Sequence, residues 1–165
     1  MEKIGALTLE PSGDRHIVMR RTFDAPRDLV WDAFTKPELL QRWLGVRGGW
    51  TLPICEMDLT VGGRYRWVWR GPGGEEMGAG GVFREIEPPE RIVATERFDD
   101  AWYEGEALVT TELAEQDGST TLTMTLTYVS EAARDEVISG PMKTGVAESY
   151  DMLADVLASE LARKG

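Results

Sequence analysis

With 165 residues, 42% of them hydrophobic and 28% charged, the chain has the composition of a globular protein long enough to bury a core. Eighteen basic residues against 29 acidic ones give a net charge of −11, which argues against nucleic acid or an anionic membrane as partner, because both require a basic face. One cysteine, Cys55, excludes an internal disulfide, and no apolar run approaches a signal peptide or the roughly 20 residues of a membrane span, so a reducing, cytoplasmic setting is expected.

In chain order, Met1–Asp14 opens with a short apolar patch and closes on the turn cluster Pro11, Ser12, Gly13 and Asp14. His16–Phe23 reads as a strand with Ile17, Met19 and Phe23 on one face and Arg21 interrupting it. Asp24, Ala25 and Pro26 start a short helix whose apolar side is Leu29, Val30, Ala33 and Phe34. Thr35 and Glu38 have the spacing of a capping box, in which hydroxyl and carboxylate each satisfy an orphan backbone N–H. A second short helix is expected through Leu39, Leu40, Trp43 and Leu44, then a Gly45–Gly49 loop.

Thr51–Leu59 reads as a strand and Arg64–Arg70 alternates cleanly: Tyr65, Trp67 and Trp69 share one face, and Arg64, Arg66, Val68 and Arg70 the other. Gly71–Gly74 forms a turn. Gly78–Ile86, Arg91–Phe98 and Glu104–Ala114 make three more strands, and Asp117–Gly118 is a hairpin signal. Thr121–Val129 alternates Leu122, Met124, Leu126 and Tyr128 with threonines. After a helical lead-in over Glu131–Ile138, Pro141–Arg163 repeats Met142, Val146, Leu153, Val156 and Leu157 at helical spacing, with Tyr150 and Leu161 at the edge of the stripe. A first strand, about six further antiparallel strands and a long amphipathic helix bury each other best when the sheet curls around the helix. The expectation is an α+β fold, one domain over residues 1–165 with its core within about 15–162.

Few residues offer chemistry. His16 is the only histidine, which excludes triads elsewhere, and its place beside a turn suits an edge residue. Cys55 is expected to fill a small apolar site, and no zinc ligand set is present. The glycine runs at 71–74 and 78–81 lack the Lys-Ser/Thr of a phosphate loop. The positive candidates are polar residues on apolar faces: Arg21, Glu96, Thr111 and, inside the helix stripe, Ser149. Arg21 and Glu96 either pair across the interior or each hold a polar group of a ligand, unless a bulge turns them to water. The aromatic residues Tyr65, Trp67, Trp69, Phe83, Tyr128 and Tyr150 form core or a pocket wall. Met19, Met124 and Met142 would make that wall adaptable, and Trp43, Val146 and Leu153 complete the set expected between sheet and helix.

Arg21–Pro26, Val30–Trp31, Thr35, Pro37–Glu38 and Trp43 together resemble the opening of the heat-shock-protein-90 ATPase activator homologue-like family. Cys55–Asp58 with Gly62–Gly63, Glu85–Arg91, and Gly140, Met142 and Gly145 resemble its later blocks, in order, from about His16 to Leu157. The resemblance implies the START-like, Bet v 1-like helix-grip fold of the SRPBCC superfamily, a sheet gripping a long helix around a deep cavity. It implies no one activity: superfamily relatives bind lipids, hormones or polyketides, and some are cyclases or dehydratases. The co-chaperone that names the family has a separate N-terminal domain for which these residues leave no room, so its function does not carry over. Val146 stands where many relatives have tryptophan. The expected function is therefore binding of a small hydrophobic or amphipathic molecule between sheet and helix, without cofactor or metal. The alternatives are a cofactor-independent cyclase or dehydratase, and a protein-interaction module. The oligomeric state is open, a homodimer included.

Overall fold

The hairpin signals and alternating stretches fold into one curved antiparallel sheet. A computed structural model describes residues 2–101, 103 and 105–164. Within them run β1 (Glu2–Ile4), β2 (Leu7–Ser12), β3 (His16–Phe23), α1 (Arg27–Thr35), α2 (Pro37–Leu40), β4 (Thr51–Met57), β5 (Arg64–Arg70) and β6 (Glu76–Glu87). Then follow β7 (Arg91–Phe98), β8 (Ala107–Gln116), β9 (Ser119–Thr127), α3 (Glu131–Ser139) and α4 (Met142–Lys164). The sheet order is β1-β2-β3-β9-β8-β7-β6-β5-β4, all neighbours antiparallel, with α4 lying across the concave face: the α+β helix-grip architecture.

Local chemistry explains the joints. Asp117 and Gly118 both have positive φ, 53° and 81°, the two-residue turn whose twist matches paired strands, and Gln116 faces Ser119 across it. On β6, a side chain at Gly81 would collide with the Thr95 carbonyl, so only glycine lets β7 approach there. The register shifts between Phe83 and Glu85, and the Thr95 hydroxyl accepts from Val82 N at 2.9 Å where the ladder opens. Bulge and glycines bend this half of the sheet toward the helix. The α4 stripe buries Tyr150, Leu153, Val156 and Leu157 against a core that includes Leu7, Leu9, Ile17, Met19 and Leu122.

Three expectations need correction. The described residues hold nine strands, not about seven, because the N-terminal patch pairs as β1 and β2. Pro11, which signals a turn in the sequence, sits in β2 beyond the end of β1, where its missing N–H leaves no bond unmade. The Thr35–Glu38 capping box does not form: the Thr35 hydroxyl donates back to Trp31 O at 2.8 Å, and Lys36, the residue before α2, makes no side-chain cap. The expected strand start at Glu104 lies outside the described residues, and β8 begins at Ala107.

Candidate functional site

The register fixes which side chains share the concave face. Directly opposed residues lie on one side of a sheet, so Phe83, Ala94, Val109, Leu126 and Ile17 form one row, and Ile92, Thr111, Met124, Met19 and Leu9 the next. Glu96 follows in the adjacent row, opposite Ala107, and Tyr128 continues that row just past the end of β9. Cys55, Trp67, Ala79 and Phe98 make a further row on β4 to β7. Strand alternation thus places Glu96 on the helix-facing side, among apolar residues.

Glu96 is the centre of this face. It makes no hydrogen bond or ion pair with any described residue, and burial pushes its carboxyl up to about 7. It nevertheless keeps some accessible surface, as do Trp67, Val109 and Met124 beside it on the concave face and Val146 on α4. The chain has four tyrosines, and all four lie near this carboxylate. Tyr65 Oη donates to the carbonyl of Thr95, the residue before Glu96, at 2.5 Å. Tyr103 stands edge-on to Tyr128 at 5.3 Å, and Tyr150 Oη donates to Met124 Sδ at 3.4 Å. Burial first, and the Glu96 charge second, hold all four hydroxyls above the ordinary tyrosine range. The Tyr128 hydroxyl has no hydrogen-bond partner among the described residues, and neither does the buried indole Nε1 of Trp67, whose ring packs at 4.6 Å on Tyr65. Buried polar groups are normally paired, and here the unpaired Trp67 indole N–H shares one face with the Glu96 carboxyl.

The other sequence-derived candidates fall elsewhere. Met19, Trp43 and Leu153 are sealed in the core; Trp43 donates from Nε1 to Ala33 O at 3.0 Å and packs on Phe34 and Tyr150. Arg21 does not meet Glu96. It pairs with Asp151 of α4 at 2.5 Å and lies over the Phe23 ring, although its Nε is buried without a partner. The Ser149 hydroxyl accepts from Gly45 N at 3.0 Å, and Trp69 donates to Leu44 O at 2.9 Å, so both clamp the loop that follows α2. Gly145 makes room for the Arg47 guanidinium, which pairs with Glu148 at 2.6 Å. Thr111 and Phe83 lie on the face between Glu96 and the sealed core, and Met142 and Val146 keep some surface at the start of α4. Tyr103 escaped the sequence reading because it lies in the connection after β7, where no alternation points to a face.

The remaining reactive types are quiet. Burial, reinforced by Glu38, pushes the Cys55 thiol up to about 11, which keeps it protonated and unreactive. His16 Nδ1 is tied to the Thr127 hydroxyl at 2.8 Å. The described residues contain no group of three potential metal ligands among His, Cys, Asp and Glu, and no helix in them is long and apolar enough to cross a membrane.

A cleft of about 900 Å³ opens on the outward face of the sheet, floored by Gly80 and Gly81 and walled by Arg64, Arg66, Arg97 and Asp99. Arg66 grips Asp99 there through two bonds of 2.7 and 2.6 Å. A solvent-facing pair of this kind is screened by water and contributes little. The concave face, with unpaired groups in low dielectric, is the stronger candidate.

Known proteins share this fold. Residues 24–158 match the family model described as Activator of Hsp90 ATPase homolog 1-like protein. A protein of known crystal structure from Rhodobacter sphaeroides is 36% identical, aligned over 93% of this chain and 99% of its own, with a TM-score of 0.88. One from Chromobacterium violaceum is 30% identical over 87% and 96% of the two chains, with a TM-score of 0.75. One from Nitrosomonas europaea, at 23% identity and a TM-score of 0.80 over 92% and 99%, shares the fold. No curated protein matches the chain. A helix-grip sheet, matched from the first short helix to the last turns of α4, makes this chain a member of the Activator of Hsp90 ATPase homolog 1-like family.

Proposed function

We propose that the protein binds a small, mainly apolar molecule between α4 and strands β5 to β8, in a reducing, cytoplasmic setting. The observation that carries the reading is Glu96: an unpaired carboxyl on the helix-facing side of the sheet that keeps accessible surface inside an aromatic surround. Ligand sites are mostly apolar and aromatic with a few placed polar groups, and Trp67, Val109, Met124 and Val146 supply the apolar part. A ligand that binds only the folded state raises the melting temperature in proportion to the logarithm of its concentration. Decanol is therefore expected to raise Tm, and mass spectrometry of an extract of the native protein is expected to find a bound small molecule. No Tm change with decanol, decanoate or an aromatic alcohol would remove this reading in favour of a protein-interaction module.

A second reading rests on the same residue. A carboxyl whose pKa lies near 7 is suited to proton transfer at neutral pH, which favours a cofactor-independent cyclase or dehydratase. Turnover of a bound ketone that is lost in Glu96→Gln while binding persists would establish it.

A further inference from the structure

Resting on the binding site just proposed, we infer that its ligand carries a cationic nitrogen, an amine or ammonium group seated against Glu96 inside the ring of tyrosines. The first argument is charge. Arg21, the cation on the concave face, sits opposite Leu122, six residues along β9 from Tyr128, so it is about 20 Å from the Glu96 row at roughly 3.3 Å per residue. Arg21 is also committed to Asp151. Arg97 and Glu106, the charged groups nearest on neighbouring turns of chain, are exposed and line the outward cleft. The carboxylate thus lacks a counter-charge among the described residues, and a buried anion without one is costly.

The second argument is the wall. Tyr65 and Trp67 from β5, Tyr103 from the connection after β7, Tyr128 after β9 and Tyr150 from α4 surround it. Aromatic faces are electronegative; they repel an anion and attract a cation within about 6 Å. Carboxylate and rings therefore agree in sign. An anionic amphiphile such as a fatty acid meets both as repulsion, and a neutral alcohol gains a hydrogen bond to the carboxylate but no charge attraction. The net charge of −11 adds to this by concentrating cations around the molecule.

The test compares three probes with one chain length: decyltrimethylammonium, decanol and decanoate, each below its micellar concentration. The quaternary head does not titrate, so any pH dependence belongs to the protein. Decyltrimethylammonium is expected to bind at least about tenfold tighter than decanol at pH 8, with decanoate weakest. Its affinity should fall roughly tenfold from pH 8 to pH 6, as Glu96 protonates and the ion pair is lost. Glu96→Gln should erase both the ranking and the pH dependence. Decanol binding as tightly as the cation, or decanoate binding tighter, overturns the cationic ligand while leaving the apolar site standing. Failure of all three to bind overturns both.

Discussion

On strands β2 and β3 and at Leu122 of β9, the side chains under α4 are closed off from solvent: Leu9, Ile17, Met19 and Leu122 keep almost no accessible surface. On β5, β7 and β8, side chains of the same concave face, Trp67, Glu96 and Val109, keep some, and two of these three lack hydrogen-bond partners. The two regions have similar alternating sequences and one helix above them. They differ in what joins the strands. The first is a regular ladder, whereas the second is interrupted by the register shift between Phe83 and Glu85, beside the close approach of β7 at Gly81. The first, sealed half is closed apolar core, and the second, open half carries polar groups, the Trp67 indole and the Glu96 carboxyl, that bond to none of the described residues.

Mutations should separate the halves. Leu153→Ala, in the sealed region, is expected to lower unfolding free energy by about 2–5 kcal/mol in denaturant titration, since a fully buried leucine leaves a cavity. Glu96→Gln should act in the opposite direction. The folded carboxyl titrates near 7 against an ordinary 4.5, so the unfolded chain loses its proton first and stability falls as pH rises through that window. The substitution should therefore change little below pH 4.5 and stabilise by up to roughly 3 kcal/mol above pH 7, as read from melts across pH.

Two tryptophans give a finer contrast. Trp43→Phe removes a donor that serves Ala33 O and should cost about 1–3 kcal/mol, while Trp67→Phe removes a buried donor with no partner and should be near neutral in the same titration. Ser149→Ala frees Gly45 N and should cost about 1 kcal/mol, with faster amide exchange at Gly45 and the loop beyond it.

The sequence made the architecture legible because its strongest signals were local: alternation over Arg64–Arg70, the Asp117–Gly118 turn and the helical repeat after Pro141 each name one element. Polar residues on apolar faces led to Arg21, Glu96 and Ser149, but periodicity gives a face and not a partner. Asp151, on the solvated side of α4, pairs with Arg21, and Gly45 claims Ser149 from a loop about 100 positions away in the chain. Only the strand register shows that Glu96 remains alone. The N-terminal hairpin was hidden for a local reason: Leu7–Glu10 alternates over only four residues before Pro11, Ser12, Gly13 and Asp14 signal a turn.

The central claim is that the open half, around Trp67, receives an apolar ligand while the sealed half does not change. The indole N–H signals of 15N-labelled protein, titrated with decanol, test it most directly. The Trp67 resonance should move and saturate, while that of Trp43, whose N–H is bound to Ala33 O in the sealed core, stays in place. A Trp67 signal that does not move up to the solubility limit of decanol, or one that moves only as much as that of Trp43, would contradict the account.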